Sequence, residues 1–137
     1  MPPSVIALAE KLKPPAASWL AKNSMDIIKV NLGPRSYDIK IGKGISQEIN
    51  FKDFGSDKYA IITDSNVRNL YGEELLKSIK NQGLDAELFD FPAGESSKNW
   101  EMAGKIGREL AQKEFNKNSM IVALGGGVVG DLAGFIA

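Results

Sequence analysis

Neither cysteine nor histidine occurs anywhere in the 137 residues. Without cysteine there is no disulfide framework, no thiol nucleophile and no thiolate metal site. Without histidine the commonest general base and metal ligand is missing as well. Excess charge of one sign is also lacking: 17 Lys and Arg balance 17 Asp and Glu. The chain therefore carries no electrostatic footprint for nucleic acid or an anionic membrane. No apolar run approaches the roughly 20 residues of a membrane-spanning helix. Repeats and low-complexity tracts are absent too. What remains is an ordinary globular composition, 43% hydrophobic and 25% charged, at a length that suits one domain with a real core.

The first 24 residues, MPPSVIALAEKLKPPAASWLAKNS, read differently from the rest. They hold two Pro-Pro pairs and one short apolar segment, VIALA. The charged start, long apolar region and cleavage site of a secretory signal are not there, nor is the Arg- and Ser-rich composition of a transit peptide. Residues 1–24 are expected to form a poorly ordered extension, with a short helix around Ala16–Lys22 as the alternative. Met25 opens the globular pattern, which runs over residues 25–137.

From there strands and helices alternate. DIIKVNL and SYDIKIG are β-rich runs joined by the Gly33-Pro34 turn signal, which predicts a hairpin. GISQEINF suits a short helix. KYAIIT, Lys58–Thr63, is a compact apolar strand of the kind buried on both faces of a parallel sheet. In the next segment Val67, Leu70, Tyr71, Leu75 and Ile79 fall on one helical face, and Gly83 suits its C-terminal cap. DAELFDF is a strand ending at Pro92. Trp100, Ala103, Ile106, Leu110 and Phe115 make a second amphipathic helix over residues 97–115. SMIVAL, Ser119–Leu124, is a third buried strand. This β-α-β-α-β order predicts an α/β fold, a doubly wound parallel sheet with an N-terminal hairpin.

In such sheets ligands bind beyond the carboxyl ends of the strands, and three strand ends carry unusual residues. In TDSNV, Asp64 or Ser65 can cap the following helix, or the carboxylate can accept hydrogen bonds from sugar hydroxyls. In FPAGESSK, Pro92 and Gly94 make a turn, Ser96 or Ser97 can cap, and Glu95 favours a helix N-terminus. Lys98 is unexplained by that account, since a lysine at a helix start opposes the dipole. It makes better sense facing a ligand oxygen or a phosphate. In GGGVVGDLAGFIA, Gly125, Gly127 and Gly130 satisfy G-x-G-x-x-G after a strand and into a helix. A backbone without side chains admits a pyrophosphate, and the helix N-terminus offers N–H groups and a positive dipole end. The alternative is glycine for tight strand–helix packing. Asp131 follows the last glycine, within reach of a ribose or nicotinamide group.

VNLGPRSYDIKIGKG, ITDSNV, LYGEEL, FPAGESSK and above all IVALGGGVVGDLAGFIA resemble the N-terminal part of 3-dehydroquinate synthase, in that family's order and spacing, from Ile28 to Ala137. The resemblance implies a Rossmann-like NAD-binding domain followed by a mostly helical domain. It implies conversion of 3-deoxy-D-arabino-heptulosonate 7-phosphate to 3-dehydroquinate with loss of phosphate, in the shikimate pathway. NAD is the catalytic cofactor there and a divalent metal, zinc or cobalt, assists. The protein would be cytoplasmic and, when complete, a homodimer. Matched motif by motif, Asp64 and Asn66 would lie near the adenosine part of NAD. Glu95 and Lys98 would meet ribose hydroxyls or neighbouring polar groups. Gly125, Gly126, Gly127 and Val128 would present backbone to the dinucleotide, and Asp131 would reach the nicotinamide side. Gly94 and Gly130 fit as shape residues.

The departures are as informative. The family's glutamate and two histidines for metal, and its downstream substrate-gripping residues, have no counterpart in this sequence. The chain is therefore expected to be an N-terminal fragment, an incomplete NAD-binding domain inactive alone. Two alternatives stay open: a related sugar-phosphate cyclase or metal-dependent glycerol or alcohol dehydrogenase, and a non-catalytic nucleotide-binding truncation product.

Overall fold

The computed structural model describes the strand Val5–Leu8 and residues 25–137. The described residues fall into two compact units. One contains the hairpin; the other is built from β1 (Val5–Leu8) and Asn50–Ala137.

The hairpin forms where the turn signal predicts it. β2 (Asp26–Val30) and β3 (Tyr37–Ile41) pair antiparallel, with Val30 opposite Tyr37 and Asp26 opposite Ile41. The turn between them needs a left-handed residue, and Gly33 supplies it with φ 60°. Ser36 closes the turn, its hydroxyl donating to the Gly33 carbonyl at 2.7 Å and accepting from the Leu32 N–H at 2.9 Å. The expected short helix in GISQEINF is not continuous. Ile45–Glu48 forms one 3-10 turn and Phe51–Phe54 another, split by the extended residues Ile49 and Asn50.

The larger unit is a parallel sheet in the order β1-β6-β4-β5, with β4 at Lys58–Asp64, β5 at Asp85–Phe91 and β6 at Met120–Leu124. Flanked on both edges, β4 buries Tyr59, Ala60, Ile61, Ile62 and Thr63 completely. The helical segment after β4 comprises α1 (Ser65–Val67), a π turn (Arg68–Gly72) and α2 (Glu73–Asn81). α3 (Trp100–Gln112) and α4 (Gly127–Ile136) follow β5 and β6. Ala60, Ile62, Phe89 and Phe91 pack with Ile106 and Leu110 of α3 and with Val129 and Leu132 of α4. On the other face of β5, Leu88 lies against Gly72 at the entry to α2. Helices thus cover both faces, as the alternating sequence predicts. Each fully buried Ile or Val in this core contributes about 1.5–3 kcal/mol.

Three expectations change in detail. Leu70 is 61% exposed instead of facing the core. The π turn adds a residue to the helix; Leu75 and Ile79 stay buried on the row begun by Val67 and Tyr71, while Leu70 swings out. Trp100 is 76% exposed, because α3 starts at Trp100 itself and its buried stripe begins at Ala103. Phe115 lies past the end of α3 and packs edge-on against Phe89, with ring centroids 5.5 Å apart. Within the segment read as an extension, Val5–Leu8 runs parallel to Ile121–Leu124. The alternative helix around Ala16–Lys22 lies outside the described residues. No helix among the described residues is long and apolar enough to cross a membrane.

The strand order sets the site. β5 lies on one side of β4 and β6 on the other, so successive crossovers leave β4 in opposite directions. Between β4 and β6 the order reverses, and open α/β sheets hold ligands at that point, outside the carboxyl ends of the strands.

Candidate dinucleotide site

At the end of β4, Asp64 is the N-cap of α1. Its Oδ1 accepts the Asn66 and Val67 N–H groups, each at 2.9 Å. The capping account of this carboxylate is thus met in full, and it engages only one of the two carboxylate oxygens. Asn66 is exposed beside it. The Ser65 hydroxyl accepts the Ala93 N–H at 3.1 Å, tying this turn to the loop after β5. Arg68 pairs with Asp90 of β5 and lies 3.9 Å from Glu73.

After β5, Gly94 takes φ 120° and ψ 162°, a region that essentially only glycine enters. Glu95–Ser97 then form a separate 3-10 turn. Neither Ser96 nor Ser97 caps α3. The Ser97 hydroxyl is buried and donates to the Pro92 carbonyl at 2.5 Å. Asn99 is the cap, its Oδ1 accepting the Met102 N–H at 2.8 Å. Lys98 therefore stands one residue ahead of the cap, where its charge still faces the positive end of the helix dipole. The protein itself also supplies Lys98 with two carboxylate partners. Its Nζ lies 2.6 Å from Asp131 and 3.7 Å from Glu95. The Asp131 hydrogen bond and charge, with Glu95 behind them, raise the Lys98 pKa above its ordinary value.

After β6, the glycines separate into two kinds. A Cβ on Gly125 would stand 2.6 Å from Val129 Cγ2, and Val129 is a core residue. Packing alone demands glycine there. At Gly126, Gly127 and Gly130 a Cβ would meet nothing within 4 Å. The tight-packing explanation therefore covers one glycine and leaves three. α4 begins at Gly127 with Gly126 as N-cap and no side-chain cap, so its first-turn N–H groups have no side-chain partner. Val128 is half-buried against the core edge, and Asp131 projects from the exposed side of α4.

Lys98, Asn99, Trp100, Asp131, Leu132 and Phe135 line an open groove of about 260 Å³ beside these loops. Trp100 and Phe135 meet edge-on at 4.8 Å along it. Enclosed small-molecule pockets run to about 300–1,000 Å³, so this groove is one wall of a site, not a closed pocket.

The structure thus gathers Asp64, Asn66, Gly94, Glu95, Lys98, Gly125 to Val128, Gly130 and Asp131 on the loops and the first turns of helices at the carboxyl edge of one sheet. Sequence reading missed the hydrogen bonds that tie the loops together, made by Thr63 and Ser65, and the Ser97 bond that closes the loop after β5 on itself. A polar residue closing the apolar run KYAIIT was the one available signal for Thr63. No group of three or more acidic, His or Cys side chains that could hold a metal ion is found among the described residues.

Residues 88–137 match the family model described as 3-dehydroquinate synthase N-terminal. The chain is 45% identical over 115 residues to a 3-dehydroquinate synthase of Streptococcus agalactiae serotype Ia, covering 80% of this chain and 32% of that relative. A 3-dehydroquinate synthase of Clostridium acetobutylicum is 42% identical over 116 residues, 82% of this chain and 33% of its own length. Among solved structures, 2-deoxy-scyllo-inosose synthase complexed with carbaglucose-6-phosphate, NAD+ and Co2+ superposes with TM-score 0.70 at 21% identity, over 82% of this chain and 31% of that one. The 2-epi-5-epi-valiolone synthase of Streptomyces hygroscopicus, with NAD+ and Zn2+ bound, gives TM-score 0.57 at 25% identity, over 66% of this chain and 26% of its own. The chain spans about a third of the length of the curated relatives it matches, and over most of its own length it is a relative of the N-terminal part of the 3-dehydroquinate synthases.

Proposed function

We propose that this chain supplies the NAD-binding half of a 3-dehydroquinate synthase. One observation carries the reading. At the reversal point of a parallel sheet, three glycines that packing does not require stand at the uncapped N-terminus of a ten-residue helix. Bare backbone and a positive dipole end suit a pyrophosphate. On this reading the first turn of α4, from Gly126 to Val128, binds the pyrophosphate. The Asp64 oxygen not used in capping, together with Asn66, accepts and donates to the adenosine part. Glu95 and Lys98 meet ribose hydroxyls, and Asp131 orients the nicotinamide end.

The substrate of the complete enzyme is then a phosphorylated seven-carbon sugar acid, 3-deoxy-D-arabino-heptulosonate 7-phosphate. NAD, when bound, supplies a transient oxidation of one hydroxyl that eases loss of phosphate and is reversed before the ring closes. The residues of this chain bind and orient; among the described residues no group of three or more acidic, His or Cys side chains comes together to hold a metal. The similarity to enzymes named for other cyclic sugar products raises a second reading, a related sugar-phosphate cyclase. Identities of 38–45% to 3-dehydroquinate synthases against 21–25% to those neighbours favour the first.

Calorimetric titration of NAD into the chain tests the cofactor placement. Binding by the wild type that is lost in Gly127→Asp supports it. Equal affinity in the two proteins overturns it.

A further inference from the structure

Thr63 and Ser97 are the buried polar residues among those described. Thr63 is fully buried, and its Oγ1 donates to the Leu124 carbonyl at 2.7 Å. The two residues form the last rung between β4 and β6. Beyond it the strands part: Asp64 pairs only with Phe91 of β5, and Gly125 turns away at φ 157°. Thr63 immediately precedes Asp64, and Leu124 immediately precedes Gly125. This one hydroxyl is therefore the final tie between the starts of the two loops, at the point where the strand order reverses. Strand pairing does not need it, since the ladder is made by backbone groups.

We propose that Thr63 is a positioning residue for dinucleotide binding: its hydroxyl fixes the Gly125–Val128 loop relative to the Asp64–Asn66 turn so that a single ligand meets both. The inference rests on the NAD-binding reading and adds to it the residue that sets the spacing. A ligand that bridges the two loops senses their relative placement, because contacts to one loop and to the other must be made at once. A ligand that touches only one loop does not sense it.

The test compares NAD, which spans both loops, with adenosine, which reaches only the Asp64–Asn66 turn. Both are titrated by NMR, which reads weak affinities, into wild type, Thr63→Val and Thr63→Ser. Thr63→Val is expected to weaken NAD at least tenfold and adenosine less than twofold, while Thr63→Ser, which keeps the hydroxyl, holds the wild-type ratio. Thr63→Ala removes the same hydroxyl without crowding and must give the same split. Equal weakening of both ligands in Thr63→Val and Thr63→Ala, as general loosening of the fold produces, overturns the inference. So does an unchanged ratio in a wild type that binds NAD. Failure of the wild type to bind NAD at all is a different result, and it overturns the NAD reading and this inference together.

Discussion

Lys98 Nζ lies 2.6 Å from Asp131 Oδ2, joining the turn before α3 to the second turn of α4. Both side chains are substantially exposed, 44% and 58%, so the pair adds little to stability. Its effect is to hold two candidate cofactor residues at one spacing. The pair raises the Lys98 pKa, which fixes the pH dependence. A raised folded value means that the contribution is fully present below the ordinary value of 10.5 and is lost only as pH rises through the higher folded value. Between about pH 6 and about pH 9 it is constant. Asp131→Asn should leave the urea midpoint unchanged across that range and lower NAD affinity about tenfold, the order of one charge-assisted hydrogen bond. A mutant that loses stability but keeps its NAD affinity contradicts the assignment.

The two kinds of glycine should separate in stability measurements. Gly125→Ala forces a Cβ to 2.6 Å from Val129 Cγ2 and should cost about 1–3 kcal/mol, as overpacking of a core does. Gly127→Asp meets no neighbour within 4 Å and places an acid at a helix N-terminus, where it is favourable. It should fold at least as stably as wild type while losing NAD. Paired denaturation and binding curves check both outcomes, and a destabilised Gly127→Asp contradicts the open space above the loop.

Asp64 serves two roles on this reading, and serine separates them. Asp64→Ala removes the cap on Asn66 and Val67 and should cost about 0.5–2 kcal/mol. Asp64→Ser keeps a capping oxygen but loses the carboxylate. Its stability should stay near wild type while NAD binding weakens. Wild-type NAD affinity in Asp64→Ser reduces Asp64 to a cap.

At the opposite edge of the sheet, Glu87 of β5 is held by Lys113 and Lys58. The Lys113 hydrogen bond, ahead of a smaller opposing burial effect, lowers the Glu87 pKa below its ordinary 4.5. A depressed folded value gives stability that is present above 4.5 and lost as pH falls through the lower folded value. Glu87→Gln should therefore flatten the acid limb of a stability–pH curve measured in urea. An acid limb identical to wild type removes this pair from the account.

The parallel strands were legible because their side chains are local signals. KYAIIT, DAELFDF and SMIVAL are apolar runs bounded by turn residues, and Gly33 announces the hairpin. Asp64 stood out as a charge at the end of such a run, Lys98 as a cation at a helix start and Asp131 as the acid after the last glycine. What sequence spacing could not supply was the set of ties between loops. Thr63 bonds a carbonyl 61 residues away, Ser65 an N–H 28 away, and Arg68 a carboxylate 22 away. Two misplacements have the same origin. Ser96, Ser97 and Asn99 are all capping residues by type, and the choice of Asn99 follows from the Ser97 hydroxyl being taken by Pro92. Leu70 leaves the core because of a π turn beside Gly72, where a side chain would crowd Leu88.

The 137 residues contain no His and no Cys, and no acidic cluster among the described residues could hold a metal ion. Catalytic zinc sites are generally built on three protein ligands drawn from His, Cys and carboxylates. The groove beside Lys98 and Asp131 is an open wall of about 260 Å³, too shallow to exclude water from a reacting sugar phosphate. The purified chain should therefore release no phosphate from 3-deoxy-D-arabino-heptulosonate 7-phosphate above the protein-free background, with NAD and either zinc or cobalt supplied. A continuous phosphate-release assay reads this directly. Turnover by the wild-type chain that disappears in Asp131→Asn would show that these residues carry the whole reaction, and it would overturn the division of labour proposed here.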